Sequence, residues 1–69
     1  MTHIDRMIDE RSNLQLLLGR LEVFTSTETF DTLAKEDRHL LLEQRFVMRE
    51  YAAILTKRID RANDAVRIR

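Results

Sequence analysis

Apolar residues recur along this chain in steps of three and four, and the longest such run lies in its second half. Leu40, Leu41, Gln44, Val47, Met48, Tyr51, Leu55 and Ile59, continued by Ala62 and Val66, form the stripe of an amphipathic helix over residues 34–63. A second set, Leu42, Phe46, Ala53 and Ile54, lies off that stripe. A helix that covers one partner helix has no use for this second set. The pattern predicts packing against the same chain on one side and against other subunits on the other.

The first half carries a second periodic segment, residues 3–24. Ile4, Met7, Arg11, Leu14, Leu18, Leu21 and Thr25 follow a heptad-like seam, broadened by Ile8, Leu17 and Phe24. Thr2 suits the cap of this helix and Asp5 its first turn, where a carboxylate meets the positive end of the dipole. Gly19 sits mid-helix at a cost of about 1 kcal/mol against alanine. It either allows a close approach of another helix or is tolerated. Arg11 interrupts the apolar seam. A guanidinium there snorkels, pairs with a carboxylate across an interface, or contacts an anionic ligand at a subunit junction.

Between the two helices runs TSTETFDT, residues 25–32, with Leu33 after it. Its hydroxyls compete with helix formation and favour caps and turns, though they also suit a phosphate or sugar. Phe30 and Leu33 are apolar anchors that fold the connection back onto the helices. Glu36 and Asp37 suit the start of the second helix, whereas Ala34 offers it no capping oxygen. A tail over residues 64–69 either continues that helix or frays. The fold class is all-α: one domain, an antiparallel two-helix hairpin with a turn at residues 25–33, assembling into a homo-oligomeric helical bundle.

Size supports the assembly. A chain of 69 residues buries little apolar surface and usually needs a staple. There is no cysteine, so no disulfide, and two histidines do not make a zinc site. Oligomerisation remains. Twelve acidic and twelve basic residues balance to a net charge of zero, which disfavours general DNA or RNA binding while leaving room for a basic pocket. No apolar run is long enough for a membrane span, and the start lacks a signal-peptide core. A soluble, cytoplasmic protein is the expectation.

Catalytic chemistry is thinly supplied. His3 and His39 stand near helix starts, where surface or capping roles are the ordinary ones. Asp5, Asp9 and Glu10 cluster where helices commonly carry acids, and one glycine cannot build a phosphate loop. The stretch IDRMIDERSNLQLLLGR loosely resembles the first helix of all-helical chorismate mutases, but covers a single helix and lacks the further helices that family needs. No enzyme activity, cofactor or metal is expected.

A broader resemblance runs over residues 3–60. Arg6, Glu10-Arg11, Leu14, Leu21-Glu22-Val23-Phe24, Phe30, Leu33, Leu40-Leu41, Gln44, Met48, Tyr51, Leu55 and Arg58-Ile59 together resemble small phage proteins with the helical-hairpin domain shared by anti-CBASS and anti-Thoeris sponges. That resemblance implies a homo-oligomer, a hexamer in the best-known branch. Such a protein binds cyclic di- or trinucleotide messengers in the host cytoplasm without cleaving them. It implies a dinucleotide pocket between paired subunits at Arg11 and Ser12, with Thr25, Ser26 and Thr27. It further implies a second site at Arg58 near Val23 and Phe24. Arg11 departs from the aromatic residue of the family pattern, and a lysine near Ser26 is absent. The rival expectation is a helical-hairpin adaptor that recruits another protein through its second apolar stripe.

Overall fold

A computed structural model describes the backbone of residues 2–67 and the side chains of residues 2–66. Three helices follow one another: α1 (His3–Thr25), α2 (Glu28–Asp31) and α3 (Lys35–Arg67). Thr2 caps α1 in a reciprocal box: the Asp5 amide donates to Thr2 Oγ1 at 3.1 Å, and the Thr2 amide donates to Asp5 Oδ2 at 3.3 Å. The connection is more ordered than a turn. Thr27 Oγ1 accepts from the Phe30 amide at 3.3 Å and starts the single turn of α2. Phe30 is thereby driven inward, where it is buried and its ring meets Phe24 edge-on at 6.2 Å. Helix α3 passes the expected stop at Asn63 and stays helical through Arg67, since nothing between Asn63 and Arg67 breaks a helix. The rest of the tail lies outside the described residues.

Helices α1 and α3 lie antiparallel. Glu22 meets Arg49, Thr25 meets Arg45 and Arg11 meets Thr56, so the numbers fall along α3 as they rise along α1. Every member of the α1 seam is buried or half-buried, Arg11 and Thr25 included. On α3 the covered line is Leu41, Arg45, Met48, Ala52, Leu55, Ile59 and Ala62, in alternating steps of four and three. Leu55 at its middle is 0% exposed. Burying such a leucine contributes about 1.5–3 kcal/mol.

The broad α3 stripe read from the sequence is therefore split. Leu40, Gln44, Val47, Tyr51 and Val66 are exposed, while Arg45 and Ala52 take places on the covered line. A single partner helix covers a seam about two positions in seven wide, and the rest of an apolar surface stays in solvent. Leu42, Phe46, Ala53 and Ile54 are exposed too. The molecule measures 54 × 16 × 14 Å, with a radius of gyration of 15.9 Å. A compact domain of this length has a radius of about 11 Å. This is a rod with one narrow core and apolar flanks.

Candidate functional site

The residues singled out in the sequence fall into two groups. Arg11 and Ser12 lie midway along α1, and Arg58 lies on α3 close to the level of Thr56, which faces Arg11. Val23, Phe24, Thr25, Ser26 and Thr27 lie at the far end of α1. With a rise of about 1.5 Å per residue, Arg11 and Thr25 are roughly 21 Å apart along the helix. One chain does not bring the two groups together.

Arg11 is half-buried in the seam, and its guanidinium donates to the hydroxyl of Thr56 at 3.2 Å. That hydroxyl in turn donates to the Ala52 carbonyl at 3.1 Å. Among the described residues the partner of Arg11 is thus a neutral oxygen, not a carboxylate, and its positive charge is not neutralised. Ser12 and Arg58 are exposed beside it.

At the other end the hydroxyls do capping work. Thr25 Oγ1 donates to the Glu22 carbonyl at 3.0 Å and accepts from Arg45 at 3.0 Å. Ser26 Oγ donates to the Val23 carbonyl and Thr27 Oγ1 to the Phe24 carbonyl, each at 2.7 Å. These bonds satisfy the last carbonyls of α1, which the helix leaves without partners. Val23 points away from the core and is 67% exposed.

Concave surfaces lie along α1 and beside the connection, and the following are formed by described residues. An open groove of about 520 Å³ on the outer face of α1 is lined by Gln15, Leu16, Gly19, Arg20 and Val23. A Cβ added at Gly19 would meet nothing within 4 Å, so the close approach that a glycine permits is not used within one chain. The residues that bound this face along the helix, at seven-residue intervals from Gly19, are Ser12 and Ser26. The second is a smaller cavity of about 240 Å³ between α2 and the start of α3, lined by Phe30, Lys35, Arg38, His39 and Leu42. Sequence reasoning did not find it. Its signal was faint: three nitrogen-bearing side chains on one helix face, with an aromatic residue five positions before them.

Among the described residues no three His, Asp or Glu side chains gather to hold a metal ion. Among the described residues no helix is long and apolar enough to cross a membrane.

Fold and surface define an all-α rod whose chemistry consists of cationic side chains beside apolar concavities. The chain belongs to the Sequestin family, whose model matches residues 1–61 and so takes in α1, α2 and most of α3. No curated protein and no solved structure matches it.

Proposed function

We propose that this chain is a phage sponge: a homo-oligomeric helical hairpin that binds cyclic di- or trinucleotide messengers in the host cytoplasm and holds them without cleavage. By doing so it blocks CBASS-type immune signalling. The observation that carries the reading is membership of a family whose name denotes sequestration, over nearly the whole chain. The chemistry is compatible. A cyclic dinucleotide carries two phosphates and two flat purines, and a two-fold homodimer presents each cation twice. Arg11 and Ser12 of one copy, with Thr25, Ser26 and Thr27 of another, supply charge and hydroxyls for the dinucleotide, and Arg58 with Val23 and Phe24 supplies a second site. The open α1 groove, which contains Val23 and is bounded by Ser12 and Ser26, is a half-site that a second copy completes.

Assembly uses the uncovered side of α3. Leu40, Gln44, Val47, Tyr51, Ile54 and Arg58 form a second seam in steps of four and three, displaced by one residue from the covered one. A parallel pairing along it sets Arg58 against Arg58, so an antiparallel pairing is the favourable one. The rival reading, an adaptor for an unrelated protein, draws on the same exposed residues.

A thermal melt separates the two. Ligand at a hundred times its Kd adds about 2.7 kcal/mol of apparent stability. For a domain of this size each kcal/mol moves the midpoint by roughly 4–8 °C. We expect such a rise with 3′,3′-cGAMP or a cyclic trinucleotide, and intact nucleotide on denaturing the complex. A flat midpoint with every cyclic nucleotide would leave the adaptor reading.

A further inference from the structure

The cavity between α2 and α3 belongs to neither group of residues considered above. Lys35, Arg38, His39 and Leu42 stand at positions i, i+3, i+4 and i+7 of α3 and therefore share one face. Glu36 and Asp37 fall on the other faces of the same turn. The acids that accompany this helix start are thus turned aside, and the cavity face carries two permanent cations and an imidazole. Phe30, 7% exposed, and Leu42 are its apolar lining. Among the described residues no hydrogen bond or ion pair occupies the side chains of Lys35, Arg38 or His39. An apolar lining rimmed by unpaired cations fits a ligand that is flat or apolar at one end and anionic at the other.

We propose that this cavity is a phosphate-ester subsite that takes one phosphate, with the adjoining part of its nucleoside, from the sequestered nucleotide. The inference rests on the sponge reading and adds to it a site that the reading does not contain. At about 240 Å³ this open concavity is smaller than the 300–1,000 Å³ or so of pockets that enclose drug-sized ligands, which suits one end of a nucleotide. Arg38 and Lys35 grip the phosphate oxygens through charge-assisted hydrogen bonds, with His39 as a further donor or acceptor. The ribose or base edge lies on Phe30 and Leu42.

Titration calorimetry on the full chain tests this, with 3′,3′-cGAMP as probe and adenosine monophosphate and inorganic phosphate as separate arms. The double variant Lys35→Ala/Arg38→Ala removes both cations, and Lys57→Ala/Arg61→Ala removes the same charge elsewhere on α3. Each lost charge-assisted contact should cost about tenfold in affinity. The first variant should therefore bind cGAMP about a hundredfold more weakly, and the control within about twofold of wild type. Adenosine monophosphate should bind more tightly than inorganic phosphate, and its titration should move the backbone amide resonances of residues 35–39. Should Arg38→Ala disturb folding, seen as a lower ligand-free midpoint, the exposed Lys35→Glu takes its place with the same expected loss. Retained cGAMP binding in the cavity variants, or an equal loss in the control, overturns the subsite and leaves the sponge reading standing. Inorganic phosphate binding as tightly as the nucleotide overturns the role of Phe30 and Leu42. Wild-type protein that binds no cyclic nucleotide overturns both proposals.

Discussion

Helix α3 carries two apolar seams of the same repeat, one residue out of step, and they meet different fates. Leu41, Met48, Ala52, Leu55 and Ile59 lie against α1, while Leu40, Val47 and Ile54 lie in solvent and the exposed Tyr51 reaches α1 only through its hydroxyl, which donates to Glu10. Neither seam is more regular than the other. What separates them is the number of partners: one antiparallel helix covers one seam, and among the described residues there is no further long helix to lay on the second. An uncovered heptad on a folded rod is an apolar surface of the kind the proposed assembly would cover, because contiguous exposed apolar patches are uncommon on monomers.

The sharpest way to break the comparison sets Leu55 beside its neighbour Ile54. Leu55→Ala removes a side chain that is fully buried in the thin core. It should cost about 2–5 kcal/mol, enough to unfold much of the population of so small a domain. Ile54→Ala, measured by urea denaturation at protein concentrations low enough to keep copies apart, should cost within about 0.5 kcal/mol. Equal costs would mean that both seams are covered in the dilute protein.

The next effect reads on mass rather than on stability. Val47 is 57% exposed on the uncovered seam of α3, and Val47→Glu adds a charge there without touching the covered seam. Light scattering should show a smaller assembly than wild type, with helix content by circular dichroism unchanged. A variant that keeps the wild-type mass would place the contacts between copies elsewhere, and the outer side of α3 would lose its proposed purpose.

Much of this fold was legible because the repeats are strict. The α1 seam, Ile4 through Thr25, is covered at all seven of its positions, and Phe24 is half-buried. Ile8 and Leu17, expected to broaden it, are exposed because one partner helix covers only a narrow seam. Phe30 is buried and Leu33 half-buried, as anchors of the connection should be. The α3 seam was less legible for a physical reason: apolarity marks what can be buried, whereas the geometry of a single partner decides what is. Ala52 reads as nondescript but sits where the helices press together. Arg45 reads as solvated but is half-buried, held by Thr25. At the candidate site, sequence placed Arg11 in the seam, but not its hydroxyl partner 45 residues away. The cavity at Phe30, Lys35, Arg38 and His39 was hidden more deeply. Three polar residues at helical spacing look like an ordinary wet face, and they become a rim once α2 turns Phe30 beneath them.

The smallest expected effect carries the comparison over to α1, whose outer face bears Gly19. Alanine there meets no atom within 4 Å and takes no positive φ, so the folded chain accommodates it without strain. Alanine is the better helix former by about 0.8–1.0 kcal/mol, and Gly19→Ala should raise the stability of the dilute protein by up to that amount. Ligand binding should move the other way. If a second copy closes the Leu16–Gly19–Val23 groove over the nucleotide, the added methyl intrudes on the one position where a neighbour can come close. A more stable protein that binds cGAMP more weakly is the expected pair of results, read by denaturation and calorimetry on the same preparation. A stability gain with unchanged binding would make the outer face of α1 plain solvent-facing surface, and α3 alone would then carry the contacts between copies.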